Sequence, residues 1–194
     1  MTLKIFIIAF CLIMQSAKVA AQKPIIKKNI RFHSINQVGL LAGSSGAALQ
    51  LQTINGIKTK SWFTGLGVGV DYYYLRTLPV FIDARRNIFN KPKTPFIYAD
   101  GGYNIPWKND GRINFRWDGV IKTEGGFYGE LGIGYKTPVL KKLHLLFSAG
   151  YSYKHLSQTI NAMPWLSIWP PPPEAYQKYE YSLRRVAIKA GLSF

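Results

Sequence analysis

RVAIKAGLSF, residues 185–194, is the stretch on which the reading of the fold turns. Val186, Ile188, Ala190, Leu192 and Phe194 share one face of an extended chain; Arg185, Ala187, Lys189, Gly191 and Ser193 share the other. Successive side chains of a strand point to opposite faces, so this is a strand with one apolar and one polar side. The pattern recurs upstream. In FYGELGIGYK, residues 127–136, Phe127, Leu131, Ile133 and Tyr135 oppose Tyr128, Glu130, Gly132, Gly134 and Lys136. Earlier still, Trp62, Leu66, Val68, Val70 and Tyr72 oppose Phe63, Gly65, Gly67, Gly69 and Asp71.

Followed along the chain, this alternation predicts eight strands, at roughly 35–43, 46–55, 61–73, 76–86, 94–104, 126–137, 142–155 and 180–194. Most span about 9–14 residues. Ordinary globular strands average about 5–6, and a strand that crosses a bilayer needs roughly 9–11. Short connections are expected after strands two, four and six, containing Asn55-Gly56, Asn90-Lys91-Pro92 and Thr137-Pro138. The connections after strands five and seven are long, about 20 and 25 residues, whereas those after strands one and three (Ser44-Ser45, and Tyr74 to Leu75) are short. Short turns on one side and longer loops on the other are the asymmetry of outer-membrane barrels. Pro170 to Pro173, within the last long connection, form a stiff extended segment that cannot join a ladder.

The chain opens with Lys4, an apolar run from Ile5 to Met14, and small residues ending Val19-Ala20-Ala21. That is the anatomy of a secretory signal over residues 1–21, cleaved before Gln22 and too short to span a bilayer as a helix. A lipoprotein reading of Cys11 is disfavoured by Phe10, which stands where a small residue is required. Cys11 is the single cysteine, so the mature chain has no thiol chemistry. Residues 22–34 are basic and lack alternation, and are expected to be a periplasmic lead-in to a barrel over 35–194. Losing Lys4 and Lys18 with the leader lowers the formal charge from +16 to about +14. In an exported chain whose basic residues are scattered over termini and loops, that charge suits anionic lipid headgroups or lipopolysaccharide phosphates, not nucleic acid.

Alternation does not say which face is inside, and soluble ligand-binding barrels of about eight strands put the apolar face inward. Three features point to the reverse. Asp71, Asp83, Arg85, Asp100, Glu130, Lys136, Arg185 and Lys189 share one inferred face, where they can neutralise one another in a narrow lumen. A lone Arg or Lys facing lipid there would cost roughly 2–4 kcal/mol. Glycines crowd the same face (Gly67, Gly132, Gly150 and others), relieving a lumen of limited volume. Aromatic residues gather at strand ends, among them Trp62, Tyr72, Tyr73, Tyr74, Tyr103, Phe127, Tyr135, Tyr151, Tyr153 and Tyr181, as a membrane interface favours.

The final strand, with Val186, Ile188, Ala190, Leu192 and terminal Phe194, resembles the C-terminal assembly signal of outer-membrane barrel proteins. Together with the glycine–aromatic alternation of residues 62–74 and 126–137, it makes residues 35–194 similar to the small OmpA-like and OmpX-like barrels. The resemblance implies an eight-stranded antiparallel up-and-down transmembrane β-barrel in the outer membrane of a Gram-negative bacterium. It further implies insertion by the outer-membrane assembly machinery and a lumen too narrow for a porin.

Three functional readings follow. The first is a structural or surface-interaction barrel whose external loops meet lipopolysaccharide or an extracellular ligand of unknown identity, with Trp107, Arg112, Arg116, Trp117, Trp165 and Trp169 as contact candidates. The second is transport of small hydrophobic molecules, the activity attributed to small barrels of the OmpW-like kind; Pro79 would remove a ladder hydrogen bond from strand four and open a lateral exit. The third is lipid A ester hydrolysis. Small barrels with that activity carry His-x-Ser on a late strand and a distant acid, a pattern that His155-Leu156-Ser157 and Glu174 match. A soluble periplasmic β protein is the remaining alternative. His33, His144 and His155 lie far apart and have no cysteine partner, so neither a metal nor another cofactor is indicated.

Overall fold

A computed structural model describes residues 30–107, 119–140, 143–161 and 176–194. Eight antiparallel strands close into one barrel in sequence order: β1 (Ile30–Gly43), β2 (Gly46–Thr59), β3 (Trp62–Asp71), β4 (Thr77–Asn87), β5 (Thr94–Pro106), β6 (Gly119–Pro138), β7 (His144–Asn161) and β8 (Tyr176–Ser193). Closure is made where β8 pairs with β1, from Ile35–Ser193 to Gly43–Arg185. At the seam's end, Ser34 and Phe194 exchange both main-chain hydrogen bonds, at 2.8 and 3.0 Å.

The pleat sorts the side chains as the alternation predicts. Leu66, Leu131 and Ile188 point outward and are 68, 66 and 64% exposed, a degree of exposure that makes sense for leucine and isoleucine only against lipid. Asp71, Asp83, Glu130, Arg185 and Lys189 point inward and are buried. Lumen glycines make room for lumen rings. A methyl group built on Gly67 would overlap the ring of Phe81; on Gly134, that of Phe96; on Gly150, the hydroxyl of Tyr98.

Four local expectations change. First, β1 starts at Ile30, within the expected lead-in, and Ser34 belongs to the strand as the main-chain partner of Phe194 at the end of the seam. Second, Asn55-Gly56 is not a turn. The β2–β3 ladder runs on to Thr59–Trp62, and the chain reverses at Lys60-Ser61, with Lys60 at φ 36°. The extra ladder hydrogen bonds offset the roughly 1–2 kcal/mol of a left-handed non-glycine residue. Gly56 is needed for a different reason: it lies opposite Gly65, and a Cβ there would collide with the main chain of Thr64 and Gly65. Third, Tyr73 does not join the outer aromatic belt. The β3–β4 connection dips into the barrel, burying Tyr73 and Leu75 against Leu41, Leu156 and Leu183. Fourth, β6, β7 and β8 are longer than expected, so much of the two presumed long loops is paired strand.

Gly56→Ala is expected to destabilise the barrel by about 1–3 kcal/mol, the usual cost of overpacking. Gly101→Ala, at an exposed position with nothing within 4 Å of the new Cβ, should be neutral. Thermal retention of the fast-migrating, unboiled form on mild SDS gels compares the two.

Candidate functional site

The lumen is layered. Toward the turns that follow the even-numbered strands it is filled by Ile35, Phe63, Phe96 and Leu146, with Ile54 and Phe81 of the same cluster nearer mid-barrel. Toward the loops it is filled by Leu41, Tyr73, Leu75, Leu156, Leu183 and Ala187. Between the two apolar layers lie the charges. Asp83 accepts from Arg85 Nε at 3.0 and 2.8 Å, and Arg85 Nη2 reaches Gln37 Oε1 at 3.4 Å. Gln37 donates to Gln52 (2.5 Å), Gln52 to Tyr128 Oη (3.0 Å), and Tyr128 to Glu130 (3.0 Å). Glu130 also accepts from Tyr98 Oη at 2.6 Å and pairs with Lys189 at 2.5 Å. One hydrogen-bonded chain thus crosses the lumen through β4, β1, β2, β6, β5 and β8. Asp83, Arg85, Glu130 and Lys189 are tolerated as buried ions because each finds opposite charge and further hydrogen bonds.

A second cluster lies nearer the loops. Asp71 is held by Arg185 and by Lys154 (3.3 Å), and Arg185 Nη2 donates to Ser152 at 2.7 Å. Lys154 Nζ also donates to the main-chain oxygens of Tyr73 (2.9 Å) and Leu75 (3.1 Å) and to Thr77 (3.0 Å). One buried ammonium therefore fastens the inturned β3–β4 connection to the barrel wall.

Of the eight charges expected to meet in the lumen, all face inward, but they divide into groups. Asp83, Arg85, Asp100, Glu130 and Lys189 lie together; Asp71 and Arg185 form the second cluster; Lys136 stands apart toward the turns, beside Lys58. Lys136 is thus not a member of the network, because the barrel's register carries its end of β6 below the carboxylates. Asp100 is the weakest member. It stands directly opposite Asp83 on one side and Glu130 on the other, its nearest cation is Lys189 at 3.9 Å, and neither of its oxygens accepts a hydrogen bond among the described residues. Sequence reasoning missed Lys154 and the linking Gln37, Gln52 and Tyr98. Lys154 is legible in the sequence, since it alternates with Tyr151 and Tyr153 of the aromatic belt.

On the outer wall, Val38, Leu51, Val68, Val70, Leu78 and Leu192 line an apolar groove of about 750 Å³, to which the inward-facing Gln37 and Gln52 also contribute. Beside it the β3–β4 ladder lapses. Pairing holds from Trp62–Arg86 to Val68–Val80, is missing where Gly69 and Val70 pass Leu78 and Pro79, and resumes at Asp71–Thr77. Pro79 has no N–H to donate. The outward residues of the final strand, Val186, Ile188, Leu192 and Phe194, are exposed on the outer wall, with Ala190 half-buried among them.

The hydrolase motif finds other company. Ser157 Oγ donates to Glu124 Oε2 at 3.3 Å, while Glu174 lies outside the described residues. Of the aromatic and basic loop candidates, Trp107 is half-exposed beneath the guanidinium of Arg76, 4.5 Å from its ring centre. Arg112, Arg116, Trp117, Trp165 and Trp169 lie outside the described residues.

No protein-family model matches the chain, and no curated protein matches it. Solved structures do. The outer membrane protein OprG from Pseudomonas aeruginosa superposes with a TM-score of 0.58 at 11% identity, over 84% of this chain and 95% of that one. Neisserial surface protein A (NspA) gives 0.51 at 12%, over 84 and 95%. The outer membrane protein AlkL, solved in lipid bilayers, gives 0.50 at 12%, over 84 and 88%. The fold is that of the small transmembrane β-barrels.

Glu130→Ala leaves Lys189 without its close carboxylate and should cost about 3 kcal/mol or more. Asp100→Asn removes a charge that faces two like charges, and should change stability by less than about 1 kcal/mol or raise it. Urea unfolding midpoints in detergent measure both.

Proposed function

We propose that this barrel resides in the outer membrane as a closed, non-conducting protein that meets lipopolysaccharide and external ligands at its loop end. The observation that carries this reading is the projection of β6, β7 and β8 beyond the rim. β8 pairs with β1 only from Arg185 onward, which leaves Tyr176–Arg184 continuing as one edge of a three-stranded sheet. At about 3.4 Å per residue those nine residues extend roughly 30 Å along the strand. On its outer face Lys122, Thr159 and Lys178 form one cross-strand row, and Glu124, Ser157 and Glu180 the next. Ion pairs link the rows: Lys122–Glu124 at 2.6 Å and Lys178–Glu180 at 3.5 Å.

Exposed pairs of this kind add only about 0–1 kcal/mol to stability, so their value lies in what they present. They stand above Phe127, Tyr151 and Tyr153, rings suited to the membrane interface, at the level where phosphate-bearing headgroups lie. The apolar layers at both ends of the lumen support the non-conducting part of the reading. Passage through the outer-membrane assembly machinery, guided by the terminal strand, and a non-enzymatic role belong to the same proposal.

Lateral passage of small hydrophobic molecules is a second reading, favoured by the groove beside the ladder gap at Pro79.

For the first reading, the double charge reversal Lys122→Glu with Lys178→Glu should weaken retention on immobilised lipopolysaccharide by roughly tenfold, with the unfolding midpoint unchanged; equal retention would refute it. For the second, Pro79→Thr restores a ladder donor. Uptake of a fluorescent hydrophobic probe by proteoliposomes should then fall while the barrel stays folded, and unchanged uptake would count against a lateral route.

A further inference from the structure

The turn-side end of the lumen gathers basic side chains, of which Lys58 and Lys136 have no carboxylate beside them in the cavity they line. His33 on β1, Lys58 on β2, Arg85 on β4 and Lys136 on β6 line one small cavity of about 30 Å³, floored by Phe63, Phe96 and Leu146. No carboxylate lines it. Lys58 and Lys136 adjoin each other, and His144 lies within electrostatic reach of both. Lys136 is 7% exposed. Arg85 spends Nε and Nη2 on Asp83 and Gln37, and its Nη1 is buried without a partner among the described residues. His144 Nδ1 and Ser193 Oγ, close by, are likewise buried and unpartnered.

Two ammonium groups brought together under partial burial repel each other and lose hydration, and elsewhere in this lumen such costs are met by carboxylates. Here they are not. The unpartnered Nη1 and Lys136 Nζ are donors only, so what completes the site is an acceptor with negative charge. We infer that the turn-side mouth of the barrel is a binding site for the oxygen face of a phosphate group, held by Lys58, Lys136 and the free edge of Arg85. The cavity is too small for an organic ligand, and it takes the charged head of one. Free inorganic phosphate and the phosphodiester of a lipid headgroup at that rim share this chemistry.

The test uses the whole folded barrel in zwitterionic phosphatidylcholine nanodiscs. Its thermal midpoint is followed in sodium phosphate against sodium chloride at matched ionic strength, and, in phosphate-free buffer, in nanodiscs doped with phosphatidylglycerol. A midpoint raised by phosphate beyond chloride assigns a free-ion site; one raised only by phosphatidylglycerol assigns a headgroup site. In either case apparent affinity should fall roughly tenfold in Lys136→Gln, as expected for loss of one charge-assisted hydrogen bond. Lys58→Gln, at the half-exposed end of β2, should show the same loss and serves if Lys136→Gln fails to fold. Equal midpoints in phosphate, chloride and both lipids would overturn the site. So would a shift of full size in both variants, which would mark general surface charge.

Discussion

Inside a bilayer no water is available for a free N–H or C=O, so a sheet can cross only if its last strand finds its first. In this chain that requirement is met at the β1–β8 seam, and the rest of the structure depends on it. The mutual hydrogen bonds of Ser34 and Phe194 mark where the seam ends. They also carry the seam one residue back into the polar, basic stretch that precedes Ile35, because Phe194 takes its main-chain partner from Ser34.

Closure at eight strands leaves an interior just wide enough for side chains. Two consequences follow. Each large lumen ring requires an absent side chain opposite, which is why Phe81, Phe96 and Tyr98 face Gly67, Gly134 and Gly150. The polar residues cannot stay hydrated and must satisfy one another. The Arg85–Gln37–Gln52–Tyr128–Glu130 chain does this across the barrel, and the Asp71–Arg185–Lys154 cluster does it along one side. Lys154 additionally draws the β3–β4 connection inward, so a loop that would otherwise decorate the rim becomes part of the filling.

With the lumen occupied, chemistry is left to the two ends and the outer wall. The ends differ in kind. At the loop end β6, β7 and β8 outrun their neighbours and present alternating charge on a paired sheet, an ordered surface in place of a free loop. At the turn end, cations collect without carboxylates. The outer wall is uniform in its apolar character except where Pro79 interrupts the ladder beside a groove.

What the sequence by itself determined is whatever a two-residue period can carry. The number of strands, and that Asp71 or Glu130 shares a face opposite to that of its apolar neighbours, follow from alternation, because the pleat is a local property of the chain; which face is inside rests on the charges, glycines and aromatic residues those faces carry. What only the tertiary structure decided is who meets whom. Lys136 and Glu130 share a face six residues apart yet serve different layers, since lumen neighbours come from other strands at heights fixed by register. Asn55-Gly56 has the local chemistry of a turn, but ladder pairing carried β2 past it, and the glycine serves instead to bring two backbones close. Tyr73 reads as a belt residue by composition and is buried by the path of its loop. In each case a local preference worth about 1 kcal/mol gave way to pairing or burial that only the closed barrel could offer.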